Sequence, residues 1–178
     1  MRKKSDILDG LLVIDFRNGN KKAMALLVKR WHSKFCRQAF WYTQNMDDAK
    51  DIVQDCWQLI FRKINQLDDP NAFKSWAMRI VVRKAIDWTR KQKRRPISIS
   101  NFKQKEQEQI EEGGSREDLL RRLNEAIKNL PENQGAVLHL FYIQEYNLKE
   151  IAEILDISKG TVKSRLYYAR EHLKQLLK

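Results

Sequence analysis

The chain is 178 residues long, 42% hydrophobic and 10% aromatic, with 35 Lys and Arg against 23 Asp and Glu and a formal net charge of +12. That is enough for one medium or two small folded domains, and too much apolar side chain for a wholly disordered chain. No stretch approaches 18 consecutive apolar residues, and the short run Leu11 to Ile14 is flanked by Asp9 and Asp15, so neither a membrane span nor a secretory signal is expected. Cys36 and Cys56 stand outside any CxxC, with His32 the only imidazole near them; no disulfide framework, metal site or cofactor is expected, and a reducing cytoplasm is the natural compartment.

The charge is distributed unevenly. Residues 1–96 hold 22 basic and 10 acidic side chains, 97–118 hold 3 and 6, and 119–178 hold 10 and 7. The middle piece is rich in Gln and Glu, poor in large apolar residues, and ends in Gly113 and Gly114. That composition predicts a flexible acidic linker over 97–118 between two small domains, 1–96 and 119–178. Neither flanking piece shows an alternating strand pattern, and Pro70 and Pro131 stand where helices could start. Both domains are therefore predicted to be all-α.

In the first domain, Ala23, Leu26, Leu27, Trp31, Phe35, Ala39 and Tyr42 predict a helix over about 21–42. The clearest helix follows from about Asp47 to Ile64. Ala49, Ile52, Val53, Cys56, Trp57, Ile60, Phe61 and Ile64 form one apolar stripe at the period of a helix. Asp47 and Asp48 suit its first turn and Arg62 and Lys63 its last, since the peptide dipoles favour acids at the start and bases at the end. Its opposite face carries Asp51, Gln54, Asp55 and Gln58, a pattern that most often means only a solvated side. A third helix, Phe73 to about Lys91, buries Phe73, Trp76, Ala77, Ile80, Val81 and Ala85. Its other side gathers Arg79, Arg83 and Arg90 and runs into Lys91, Lys93, Arg94 and Arg95. A basic helix face that continues into a basic run is an electrostatic footprint for a polyanion.

The second domain begins with helices predicted over about Asp118 to Leu130 and Glu132 to Ile143. The segment from Leu148 to Leu166 then predicts helix, tight turn, helix. Ile151, Leu155, Ile157, Val162 and Leu166 fill the angle and small Ala152 permits close crossing. Asp156 sits where the backbone turns left-handed, and Ser158 is placed to cap the second helix. That helix presents Lys159, Thr161, Lys163, Ser164, Arg165 and Tyr168 outward. A helix-turn-helix sets the start of its second helix in the major groove, where such side chains bind base edges or phosphates.

Three stretches carry a resemblance to bacterial RNA polymerase sigma factors, specifically the two-domain extracytoplasmic-function group of the sigma-70 family. Asp48-Ala-Lys-Asp-Ile-Val-Gln-Asp-Cys-Trp57 resembles region 2.2. Phe73-Lys-Ser-Trp-Ala-Met-Arg-Ile-Val-Val-Arg-Lys-Ala-Ile-Asp87 resembles regions 2.3 and 2.4. Leu130-Pro-Glu-Asn-Gln, Glu150-Ile-Ala-Glu-Ile-Leu and Gly160-Thr-Val-Lys-Ser-Arg-Leu-Tyr-Tyr-Ala-Arg-Glu-His-Leu173 resemble region 4. The resemblance extends from about Leu12 to Leu177, and the ordered set is far more specific than any one motif.

The resemblance implies a protein that binds core RNA polymerase, through its β′ clamp helices and β subunit, and directs promoter-specific initiation at −10 and −35 elements. Asp51, Gln54, Asp55 and Gln58 become candidates for docking on the clamp helices. The loop from Gln66, with Asp68, Asp69 and Asn71, followed by Phe73, Lys74 and Trp76, resembles the segment that captures a flipped base of the −10 element, with Arg79, Arg83 and Arg90 along the upstream duplex. Arg83 stands where many members have Asn. The outward residues of the last helix would read the −35 element. The linker, with Glu106, Glu108, Glu111 and Glu112, would thread toward the RNA exit path as a chain resembling nascent RNA. Members are commonly held by an anti-sigma factor, often membrane-bound. A stand-alone helix-turn-helix regulator is the alternative. An enzyme is disfavoured: the sequence has no Gly-rich phosphate loop, nucleophile elbow or HExxH, and His32, His139 and His172 are scattered.

Overall fold

The computed structural model describes residues 4–94, 122–123, 125–127 and 129–176, and all regular structure among them is helical. The linker expected over 97–118 lies outside the described residues. The chain divides into two compact units, Met1–Arg95 with Glu153–Asp156, and Pro96–Ala152 with Ile157–Lys178.

Four helices make the first unit: α1 (Lys4–Arg17), α2 (Lys21–Thr43), α3 (Met46–Lys63) and α4 (Phe73–Arg94), with 3-10 turns at Ile64–Gln66 and Pro70–Ala72 between the last two. Each boundary has a local cause. Gly19 takes φ +96° after α1, a backbone that only glycine adopts cheaply. Asn20 Oδ1 accepts from Lys22 N to start α2, Gln44 turns left-handed to end it, and Asn45 Oδ1 accepts from Asp47 N and Asp48 N to start α3. These side chains satisfy amide groups that have no partner inside the helix.

The core lies between α2, α3 and α4, where Leu27, Trp31, Phe35, Ala39, Val53, Cys56, Ile60, Ile64, Phe73, Met78, Val81 and Val82 are buried. Phe35 stacks on Trp31 at 5.8 Å and meets Trp57 at 5.1 Å. The stripe predicted for α3 is inward with one exception: Phe61 is 54% exposed and packs edge-on against Phe16 of α1. It lies on the border of the apolar arc. Trp76 and Ile80 of α4 are likewise only half-buried, while Met78 and Val82 are fully enclosed.

Helix α1 precedes every helix that the apolar pattern predicts, and it inverts the usual polarity. Asp9, Gly10, Leu12 and Val13 point inward, whereas Ile7, Leu8, Leu11 and Ile14 are 43–55% exposed. Asp9 is fully buried; its Oδ1 accepts from Arg30 Nε at 2.8 Å and its Oδ2 from Trp31 Nε1 at 3.1 Å. A carboxylate without water needs such donors. At the other end of α1, Arg17 Nη2 donates to the carbonyls of Ile64 at 2.6 Å and Leu67 at 2.5 Å.

In the second unit, residues 122–123 and 125–127 are helical, followed by α5 (Glu132–Leu138) with its N-cap at Pro131, α6 (Leu148–Leu155) and α7 (Lys159–Leu176). The single helix predicted over Glu132–Ile143 changes character, since His139–Ile143 winds as a π-helix. Leu130, Leu138 and Ala169 form a small core with Ile127 and Leu173 packed on it. His172 Nδ1 lies 2.8 Å from Gln134 Oε1, tying α7 to α5.

Candidate functional site

The residues singled out by the sequence fall on three surfaces. On α3, the inward run Ile52, Val53, Cys56 and Ile60 forces Asp51, Gln54, Asp55 and Gln58 outward, and all four are exposed. Asp55 Oδ2 lies 3.7 Å from Lys84 Nζ on α4, with both side chains largely in solvent, a geometry that contributes little to stability. Beside this pair a cleft of about 400 Å³ opens between α3 and α4, lined by Ile52, Asp55, Lys84, Asp87, Trp88, Arg90 and Lys91. Lys84, Asp87 and Trp88 were not singled out as site residues, although their spacing of three and one puts them on one side of α4. Directly beneath the polar face, burial pushes the Cys56 thiol up to about 12. Burial likewise raises Cys36, whose Sγ is 3.6 Å from His32 Nε2. Both cysteines are free thiols, and no cluster among the described residues could hold a metal ion.

The second surface is the loop between α3 and α4 and the exposed side of α4. Asp69 Oδ1 accepts from both Asn71 N at 3.0 Å and Asn71 Nδ2 at 3.1 Å, an Asx turn that starts the Pro70–Ala72 turn. Asp68 is exposed, Asp69, Asn71, Trp76 and Arg79 are half-buried, and Arg83 and Arg90 are exposed. Two expectations need correction. Phe73 has no exposure and Lys74 only 8%, because α1 packs across the turn that precedes them and against α4. Phe73 is core, its ring 6.2 Å from that of Trp76, and neither Phe73 nor Lys74 offers an open face to a base.

The third surface is the helix-turn-helix. Asn147 Oδ1 accepts from Lys149 N and Glu150 N, while Glu150 Oε2 accepts from Asn147 N, a reciprocal cap that fixes the start of α6. Asp156 takes φ +58°, the left-handed turn expected of it. Ser158 Oγ accepts from Thr161 N at 3.0 Å and so caps α7. Ile151, Val162 and Leu166 are buried as expected, but Ile154 is also buried and Leu155 and Ile157 only half so. Along α7, Lys159, Lys163, Ser164 and Tyr168 are exposed, whereas Thr161 and Arg165 are half-buried. The Thr161 hydroxyl lies 2.9 Å from Ser158 Oγ, and Ser164 Oγ donates to Thr161 O. The freest donors on this helix are therefore its lysines.

Residues 27–95 match the family model described as sigma-70 region 2, and residues 120–173 that described as sigma-70 region 4. The chain is 36% identical over 135 residues to the RNA polymerase sigma factor SigV of Bacillus subtilis, covering 76% of this chain and 79% of that one. It is 31% identical over 177 residues to the ECF RNA polymerase sigma-E factor of Escherichia coli K12, covering 93% and 92%. Among solved structures, CnrH in complex with the cytosolic domain of CnrY has a similar fold, with TM-score 0.71, 23% identity and coverage of 96% and 97%. So has the sigma factor RpoE in complex with the anti-sigma factor NepR from Bartonella quintana, with TM-score 0.67, 21% identity and coverage of 88% and 97%. The chain belongs to the extracytoplasmic-function group of sigma-70 factors, which bind core RNA polymerase and direct promoter-specific initiation.

Proposed function

We propose that the two ends of the chain divide the work of promoter recognition, residues 1–96 docking on core polymerase and engaging the −10 element, and 119–178 reading the −35 element, with 97–118 as the tether. The observation that carries this reading is the exposed polar stripe Asp51, Gln54, Asp55 and Gln58 on a helix whose other side is core. A regulator that binds DNA alone has no use for such a stripe, whereas a sigma factor docks through it. In the loop, Asp68, Asp69 and Asn71 face the flipped base, Trp76 flanks it, and Arg79, Arg83 and Arg90 hold the duplex backbone by charge. On α7, Lys159, Lys163 and Arg165 supply contacts to bases and phosphates, with Thr161, Ser164 and Tyr168 around them. The chain makes and breaks no bond; catalysis belongs to the polymerase, and the compartment is the cytoplasm where that enzyme works. A protein inhibitor is a fitting partner, since both similar solved structures hold the sigma factor in a complex.

Run-off transcription with purified core polymerase on a randomised promoter library tests the whole reading. Core plus this chain should yield transcripts from templates sharing two spaced elements, and core alone should not. Transcripts independent of the added chain would overturn it.

A further inference from the structure

The helix α1 touches the loop between α3 and α4 at two points, and both contacts fix backbone. Gly10 lies against Asn71: a Cβ built at Gly10 would fall 2.4 Å from Asn71 Oδ1, 3.0 Å from its Cγ and 3.2 Å from its Cα. The last atom is main chain, so a side-chain rotation alone does not relieve the collision. Asn71 is also bound to Asp69 Oδ1 through both its main-chain and side-chain nitrogens, so displacing Asn71 moves Asp69. Seven residues after Gly10, one guanidinium nitrogen of Arg17 donates to the carbonyls of Ile64 and Leu67, which bracket the first turn of the loop.

We propose that α1 is the positioning element of the −10 loop, with Gly10 setting the place of Asn71 and Arg17 setting the path of residues 64–67. The proposal rests on the assignment of that loop to base capture. A base must leave its stack to reach the loop, and a loop already ordered does not add its own conformational entropy to that cost. Gly10 and Arg17 thus act on DNA recognition through Asn71, Asp69 and the loop backbone.

The test uses the full chain assembled with core polymerase. The probes are a single-stranded DNA oligonucleotide enriched from a randomised pool by the unmodified holoenzyme, and a scrambled oligonucleotide of the same composition. Gly10→Ala and Arg17→Gln should each lower the affinity ratio of the two probes by at least about fivefold, the scale of one lost base contact. Affinity for core and helicity should stay unchanged. Alanine is the better helix former, so a loss in Gly10→Ala does not come from a weaker helix. Arg17→Lys should recover part of the ratio, since an ammonium still donates to one of the two carbonyls.

Asp68→Ala and Asn71→Ala separate this proposal from the reading beneath it. If they lower the ratio while Gly10→Ala and Arg17→Gln do not, α1 has no positioning role and the loop assignment stands. If the unmodified holoenzyme enriches no sequence, or the loop variants leave the ratio intact, the loop assignment falls and the positioning role with it. Should Gly10→Ala fail to fold, Arg17→Gln and Arg17→Lys decide the matter. Equal weakening of both probes in those variants would overturn the proposal.

Discussion

Helices α1 and α3 belong to the same unit, yet their sequences relate to their environments in opposite ways. In α3 the apolar side chains go in and the acids and amides go out. In α1 a carboxylate goes in and four large aliphatic residues stay in contact with solvent. The difference lies in their neighbours: α3 faces a continuous apolar wall from α2 and α4, while α1 meets Arg30 and Trp31, whose donors require an acceptor. Periodicity of hydrophobic residues therefore reports burial only where the partner surface is itself apolar.

The largest effect should come from the apolar side of that comparison. Ile60 is fully buried, and Ile60→Ala should cost about 2–5 kcal/mol through lost transfer energy and an incompletely closed cavity. Urea unfolding measures it as a lower midpoint with the same slope. A cost below 1 kcal/mol would mean that α3 does not form the centre of the core.

Slightly smaller is the effect expected at the inverted helix. Asp9→Ala leaves Trp31 Nε1 buried without its acceptor and Arg30 without its carboxylate, and should destabilise by about 1–3 kcal/mol. Combining Asp9→Leu with Arg30→Met removes acceptor and charged donor together and should recover much of the loss. If the double variant is no better than Asp9→Ala, the pair does not explain the polarity of α1.

The same contrast sets how much of the molecule was legible from its sequence. The periods of α2, α3 and α4 could be read because each buries a run of apolar residues, and the second helix of the helix-turn-helix because Asp156 and Ser158 carry the turn and cap in their chemistry. Helix α1 could not be read: an acid at Asp9 on its inward side cancels the amphipathic signal, and its justification lies 21 residues away at Arg30. Phe73 and Lys74 were assigned to the DNA-facing side because they follow the loop in the chain, but helix α1, unseen in the pattern, covers them. Phe61 failed for a simpler reason: the edge of an apolar arc cannot be told from its centre by spacing alone. Gly10 and Arg17 had no signal at all. Their importance is a matter of distance to Asn71, Ile64 and Leu67.

On the outward faces the comparison turns from stability to binding. Combining Asp51→Ala, Gln54→Ala and Asp55→Lys should leave the urea midpoint within about 0.5 kcal/mol of the parent, because none of the three is buried. Affinity for core polymerase should fall by about tenfold or more, read by fluorescence titration. Undiminished affinity would remove α3 from the docking surface.

Inside α3, the Cys56 thiol gives a pH signature. Its value rises from 9.0 to about 12 because burial disfavours the thiolate. Between those values the folded chain holds a proton that the unfolded chain has released, so this contribution is complete below pH 9 and is lost as pH rises toward about 12. Cys56→Ala should flatten that part of the alkaline stability profile, at a modest cavity cost that is independent of pH. A profile that keeps its slope would assign the alkaline loss to other groups.

The smallest effect is expected at Leu11, and its smallness is the point. Leu11 is 55% exposed on the outward side of α1, so it has already kept about half its surface in water and adds little to the core. Leu11→Ser exchanges a good helix former for a moderate one and removes a partly wetted side chain, which together amount to about 0.5–1 kcal/mol of unfolding free energy. By contrast, Leu12 and Val13, its immediate neighbours in the chain, are 8% and 0% exposed, and Val13→Ala should cost about 1–3 kcal/mol for fewer carbon atoms removed. Chemical unfolding of the two variants side by side therefore tests the orientation of α1 directly. A larger loss at Leu11 than at Val13 would turn the helix over, bring the aliphatic residues inward and take Asp9 out of its contact with Arg30 and Trp31.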